Sequence, residues 1–184
     1  MITSAFAEGG FYMGGGGGYS SMIGISKDNL TFPNGDLSQS GNAFALTAYM
    51  GYNFNHFIGI EANYLGSFSS RTNFYNATQG LLGGSVLLHL PFEVFLPSLT
   101  GFNTFIRGGY DYNSIGIGSQ VNCANCINLP SLTYGYTPRF GVGAEYNHDS
   151  IGYRVEWSHS SDLLVGNQLN IDNNVFLASI MYHY

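Results

Sequence analysis

One stretch, Pro138–Ser160 (PRFGVGAEYNHDSIGYRVEWSHS), constrains the fold of this chain more than any other. Two arms flank a short polar turn, Asn147-His148-Asp149-Ser150. In the first arm Phe140, Val142, Ala144 and Tyr146 share one face, and Arg139, Gly141, Gly143 and Glu145 the other. In the second, Ile151, Tyr153, Val155 and Trp157 alternate with Gly152, Arg154, Glu156 and Ser158. A period of two sustained through both arms marks strands with two unlike faces. Alternation does not say which face is inside. A soluble sandwich buries the aromatic face and wets the charged one, whereas a membrane barrel turns the aromatic face to lipid and the charges inward.

Composition separates the two. Only 9% of the 184 residues are charged and 16% are aromatic, with 26 glycines. Soluble domains carry about 25% charged residues, which they need to cover their surface. Mean hydropathy is only +0.04, too low for a bundle of membrane helices. An uncharged, aromatic but not uniformly apolar chain suits a transmembrane β-barrel. The one long apolar run, Leu81–Leu99, is interrupted by Gly83-Gly84, His89, Pro91, Glu93 and Pro97, which argues against a membrane helix. With a net charge of −6 and Lys27 as its single lysine, the chain has no basic footprint for nucleic acid. Ala5-Phe6-Ala7 ends like a secretory signal, so residues 1–7 read as a signal remnant or a cloning scar. Residues 8–184 then form one barrel domain.

Eight strands are predicted: Phe11–Met22, Asn42–Phe54, Ile58–Phe68, Gly80–Leu90, Phe102–Asn113, the two arms of the opening hairpin, and Asn174–Tyr184. The glycine run Gly14–Gly18 weakens a strand unless an inner face needs room for large side chains from opposite strands. Matching faces across strands two and three requires Phe54 to oppose Ile58, leaving Asn55-His56-Phe57 as the turn. Long polar connections are expected at 23–41, 69–79, 114–132 and 159–172, and short ones between them. That alternation is how outer-membrane barrels are built, and eight strands close around an interior that side chains just fill. The fold class is therefore all-β, an eight-stranded antiparallel up-and-down transmembrane barrel.

Over nearly its whole length the chain resembles the OmpA-like eight-stranded membrane domain. The resemblance is most specific at GVGAEY–turn–IGYRVEW, at IGIEANY (58–64) and at the terminal strand ending Met181-Tyr182-His183-Tyr184. It implies a Gram-negative outer-membrane location, contact with membrane lipid and lipopolysaccharide, and assembly machinery that reads the final aromatic, here Tyr184. It also implies an interior salt-bridge network, with Glu61, Glu145 and Arg154 on the positions that carry it. The family's interior lysine on strand four has no counterpart; Leu87 or His89 occupies that region.

Parity places Arg107, Arg139 and Arg154 inside against Glu61, Asp111, Glu145 and Glu156. A four-residue turn at 147–150 would set Tyr146 opposite Ile151, Arg154 opposite Gly143, Glu156 opposite Gly141 and Ser158 opposite Arg139. Charges removed from water need partners, and three against four is near balance. The interior is expected to be closed or narrowly gated. These residues either fill the barrel and specify its register or regulate ion passage.

Cys123 and Cys126 have the spacing of redox and zinc sites, but no second pair and no βαβ context accompanies them. A small disulfide ring in an exposed loop is expected, and no metal or cofactor. His159 and Ser161 project toward lipid at the end of strand seven. They are similar to the His-x-Ser of outer-membrane lipid A deacylases, with Asp172 or Asp162 as the nearby acid and without that family's downstream glutamate. A serine nucleophile needs a base, and the base needs an orienting acid. A monomeric, non-enzymatic protein whose role is structural, or lies in its polar loops meeting a host or surface ligand, is the leading expectation. Lipid A deacylation through His159, Ser161 and Asp172 is the alternative.

Overall fold

In the computed structural model, which describes residues 10–26, 38–71, 75–119, 132–164 and 169–184, eight strands form a closed barrel. They are β1 (Phe11–Ser26), β2 (Ser38–Asn53), β3 (Ile58–Arg71), β4 (Tyr75–Pro91), β5 (Phe102–Ser119), β6 (Leu132–His148), β7 (Ile151–Leu164) and β8 (Leu169–His183). Each pairs antiparallel with the next, and β8 closes onto β1. Closure leaves no unpaired strand edge, the condition for placing backbone in hydrocarbon. Two short 3₁₀ turns, Phe92–Val94 and Pro97–Leu99, join β4 to β5.

The faces fall as a membrane barrel requires. Phe140, Val142, Tyr153, Val155 and Trp157 are outside, whereas Glu145 and Arg154 are 4% and 2% exposed. On β4, Leu82, Val86, Leu88 and Leu90 point out while Ser85, Leu87 and His89 point in. No helix among the described residues is long and apolar enough to cross a membrane, and Leu81–Leu99 is strand followed by 3₁₀ turns. The glycines of β1 make the room expected of them. A Cβ at Gly14 would run into the Tyr49 ring, and one at Gly16 into Ser179.

The strands are longer than predicted, at 14–18 residues. A tilted strand needs only about 9–11 residues to span the hydrocarbon. The surplus lies mostly at one end, where the ladder runs into stretches expected to be loop. Strand ends there are separated by 27–37, 72–74, 120–131 and 165–168. Once past the lipid, neither face needs to be apolar, so the hydrogen-bonded ladder continues without the alternation that reveals a strand. Residues 1–7, Cys123 and Cys126 lie outside the described residues.

At the other end the connections are short. Asn55-His56-Phe57 forms the predicted turn, with Phe54 N–H donating to the Ile58 carbonyl and Asn55 Oδ1 accepting from Phe57 and Ile58 N–H at 2.8 and 2.9 Å. The β6–β7 turn differs from expectation. His148 pairs with Ile151, leaving the two residues Asp149-Ser150, and Asp149 adopts φ +52°. Aspartate tolerates this left-handed conformation, which two-residue hairpin turns require. The tighter turn shifts the register by two, so every face is kept and every partner changes. Arg154 lies opposite Glu145, Glu156 opposite Gly143, Ser158 opposite Gly141, and Ser160 opposite Arg139.

Candidate functional site

The interior is layered. Next to the short turns lies a polar mouth with His89, Asn53, Asn103, Asn147 and His183. Beyond it all seven predicted charges project inward and are buried. Arg154 Nε donates to Glu145 Oε1 at 2.7 Å, and its Nη1 to Glu61 Oε2 at 2.6 Å. Arg107 Nη1 grips both oxygens of Glu156 at 2.9 and 3.0 Å, while its Nη2 lies 3.2 Å from Glu61 Oε1. Glu61 on β3 thus bridges two arginines, Arg107 of β5 and Arg154 of β7. Arg139 pairs separately with Asp111, Nε to Oδ2 at 3.0 Å. Asn63 joins the two groups, accepting from Arg107 at 2.7 Å and donating to Asp111 at 3.3 Å.

Aromatic rings complete the plug. The Arg154 guanidinium lies 4.4 Å from the Tyr49 ring centroid and 5.0 Å from that of Phe105, distances at which cation–π attraction acts. Tyr12 donates to Glu61 Oε2 at 3.1 Å, and the hydroxyls of Tyr49 and Ser179 bond at 3.0 Å. Glycines on β6 give space, though not to the charges first expected. A Cβ on Gly141 would meet the Arg107 stem, and one on Gly143 the Phe105 ring. Toward the long-loop end an apolar layer follows, of Ala45, Leu65, Leu81, Val175 and Leu177. Above it runs an amide relay: Ser20 donates to Asn173, Asn173 to Gln79, and Gln79 to Asn113. Tyr12, Tyr49, Phe105 and this relay escaped the sequence reading, although Tyr12 shares the parity of Gly14 and Gly16, and Phe105 that of Arg107.

The outer wall holds the alternative site. His159 and Ser161 face outward on β7, as parity predicts, opposite Asn174 and Asp172 on β8. Ser161 Oγ donates to Asp172 Oδ1 at 2.6 Å, and His159 Nδ1 lies 3.1 Å from Asn174 Oδ1. The acid is therefore on the serine and an amide on the histidine. Base-activated attack needs the acid to orient the histidine and the histidine to take the serine's proton. The ladder delivers the reverse.

Tyr184 ends the chain on the outer surface. Its N–H donates to the Phe11 carbonyl at 3.0 Å, and its ring packs against Phe11 and Tyr182.

Comparison with known proteins decides the family. A model of the OmpA-like transmembrane domain matches residues 7–184. The chain belongs to that family. Among solved structures, this OmpA-like barrel is similar to Neisserial surface protein A, with a TM-score of 0.68 at 10% identity over 95% of this chain and 97% of that one. It is also similar to Ail, the attachment invasion locus protein of Yersinia pestis (TM-score 0.54, 11% identity, 94% and 99% covered). A third is the N-terminal barrel of Pseudomonas aeruginosa OprF (0.53, 9%, 97% and 99%). At such identities these likenesses concern the fold alone. No curated protein matches the chain in sequence. Family and fold together place this OmpA-like barrel in the Gram-negative outer membrane.

Proposed function

We propose that the protein is a closed barrel whose work is done outside its lumen, with the long-loop end at the cell surface meeting a surface or host ligand. The observation that carries this reading is the filled interior. Paired charges, aromatic rings and an apolar layer follow one another along the axis, leaving the wall and the ends as places to act. The strands extended beyond the lipid support it, because they form a rigid stem for the connections at 27–37 and 120–131. Ail, an attachment protein of the same fold, has been crystallised with a heparin analogue. The connections here hold little positive charge, Lys27 against Asp28 and Asp36, with Arg71 at the end of β3, so a polyanion is a poor fit. In the same reading Tyr184 is the residue the assembly machinery recognises, Cys123 and Cys126 form a small ring within a surface connection, and the barrel is monomeric.

Displayed on a non-adherent Gram-negative host, the protein should raise adhesion to epithelial monolayers. Replacing 27–37 and 120–131 by Gly-Ser linkers should abolish that gain while the barrel still folds. In planar bilayers the purified protein should show no steady conductance. Adhesion unaffected by the linkers, or a steady conductance abolished by Arg154→Ala, would overturn the reading.

A further inference from the structure

The lipid-facing wall carries a recess that the packing of the barrel does not explain. A groove of about 770 Å³ crosses β3, β4 and β5 there, with Ala62, Gly84 and Gly108 at its floor and the Tyr110 and Phe140 rings at its walls. Ala62 pairs with Gly84, Gly84 with Tyr110, and Gly108 with Phe140, so small and large residues alternate across the ladder. The lining carries no outward-facing charge. Glu61 and Ser85 border it, but their side chains point into the lumen and are 3% and 6% exposed.

The two glycines have no reason within the chain to be glycine. A glycine inside a strand weakens it, and marks a bulge, a corner bend or a close approach to the backbone. The β4–β5 and β5–β6 ladders run without a register shift through both positions, and the irregularity of β3–β4 lies away from them, between Ser67 and Ser70. Among the described residues the positive-φ glycine is Gly101. On the inner face, a Cβ at Gly83 would collide with Asp111, and one at Gly109 with Ser85. At Gly108 a Cβ would meet nothing within 4 Å, and at Gly84 only the Glu61 carbonyl oxygen, at an ordinary 3.7 Å. What approaches these two backbones therefore comes from outside the chain.

We propose that the groove holds one acyl chain of a phospholipid from the inner leaflet, bound to the wall rather than exchanging freely with the bilayer. The backbone here is engaged in the closed ladder, so an occupant gains by contact rather than by hydrogen bonding. Leaving out a side chain opens a slot about as wide as the strand spacing, roughly 4.8 Å, which suits a single hydrocarbon chain. A second copy of this convex barrel would meet the wall along a ridge and leave the slot empty. The leaflet follows from where the groove opens. Phe11 at the start of β1 and Tyr52 near the end of β2 line it, which puts that end beside the short turns. Short turns face the periplasm in such barrels, so the choice of phospholipid over lipopolysaccharide rests on the orientation proposed above.

The test is native mass spectrometry of the folded barrel released from nanodiscs that contain phosphatidylethanolamine and lipopolysaccharide. One phosphatidylethanolamine per barrel is expected to survive release. Gly108→Ala leaves the slot open and should keep it. Gly108→Leu fills the slot and should cut retention about tenfold, the worth of roughly two methylenes of lost contact. Because a Cβ at this position meets nothing, both variants should fold, which heat-modifiable gel migration checks. In the wild type, magnetisation transfer from lipid methylenes to the Gly108 Hα protons is expected in the same nanodiscs, and it reports the occupant without any variant. No retained phospholipid, or retention that Gly108→Leu leaves unchanged, would overturn the proposal. So would lipopolysaccharide in its place, or a dimer mass that Gly108→Leu abolishes. Adhesion through the loops is read separately, so its failure and the failure of this site are distinguishable.

Discussion

Arg154 is the residue on which the interior turns. It is 2% exposed, donates to carboxylates from β3 and β6, and lies under the rings of Tyr49 and Phe105. Removing one partner of a buried ion pair strands the other charge, which costs about 3–5 kcal/mol. Arg154→Ala should therefore lower the stability of the refolded barrel by about that amount, as Glu61 and Glu145 both lose their nearest cation. Urea unfolding in lipid vesicles, scored by unheated gel migration, measures it. A loss below about 1 kcal/mol would mean that water reaches these carboxylates and that the plug is wet. All seven interior charges were legible in the sequence because ionised side chains are conspicuous in so uncharged a chain. Tyr12, Tyr49 and Phe105 were not, since an aromatic ring on either face of a membrane strand raises no alarm.

At the scale of the element, parity could be read throughout, and register at the β2–β3 turn but not at β6–β7. Phe140, Val142, Tyr153 and Val155 had to share a face whatever the turn, whereas changing the turn from four residues to two moves every partner by two and preserves every face. The choice rested on Asp149 accepting φ +52°, a local preference that leaves no periodic trace. Strand ends were hidden for a related reason. The apolar alternation stops where lipid stops, but the hydrogen-bonded ladder of β1–β8 continues. The lipid face itself makes a sharp prediction. Val155 lies on the outer wall opposite Ala144, 58% exposed. Val155→Arg there should destabilise the barrel by about 2–4 kcal/mol. If the wall faced water, the change would stay within about 0.5 kcal/mol. The same unfolding assay distinguishes these outcomes.

For the whole molecule, everything depends on the inversion: aromatic face to lipid, charge to a packed lumen. Closure removes the strand edges, the interior supplies register and polar satisfaction, and the outer wall supplies membrane affinity. The filled lumen then leaves the outer wall and the two ends as the places where the barrel can act. The chain contains a single tryptophan, Trp157, on the outer face of β7 beside Phe176 of β8. Its fluorescence reports the inversion directly. In vesicles of lipids brominated along the acyl chain, Trp157 emission should be blue-shifted and strongly quenched, with little added quenching by aqueous iodide. Quenching by iodide and none by brominated lipid would place the aromatic face in water and contradict the fold's orientation outright.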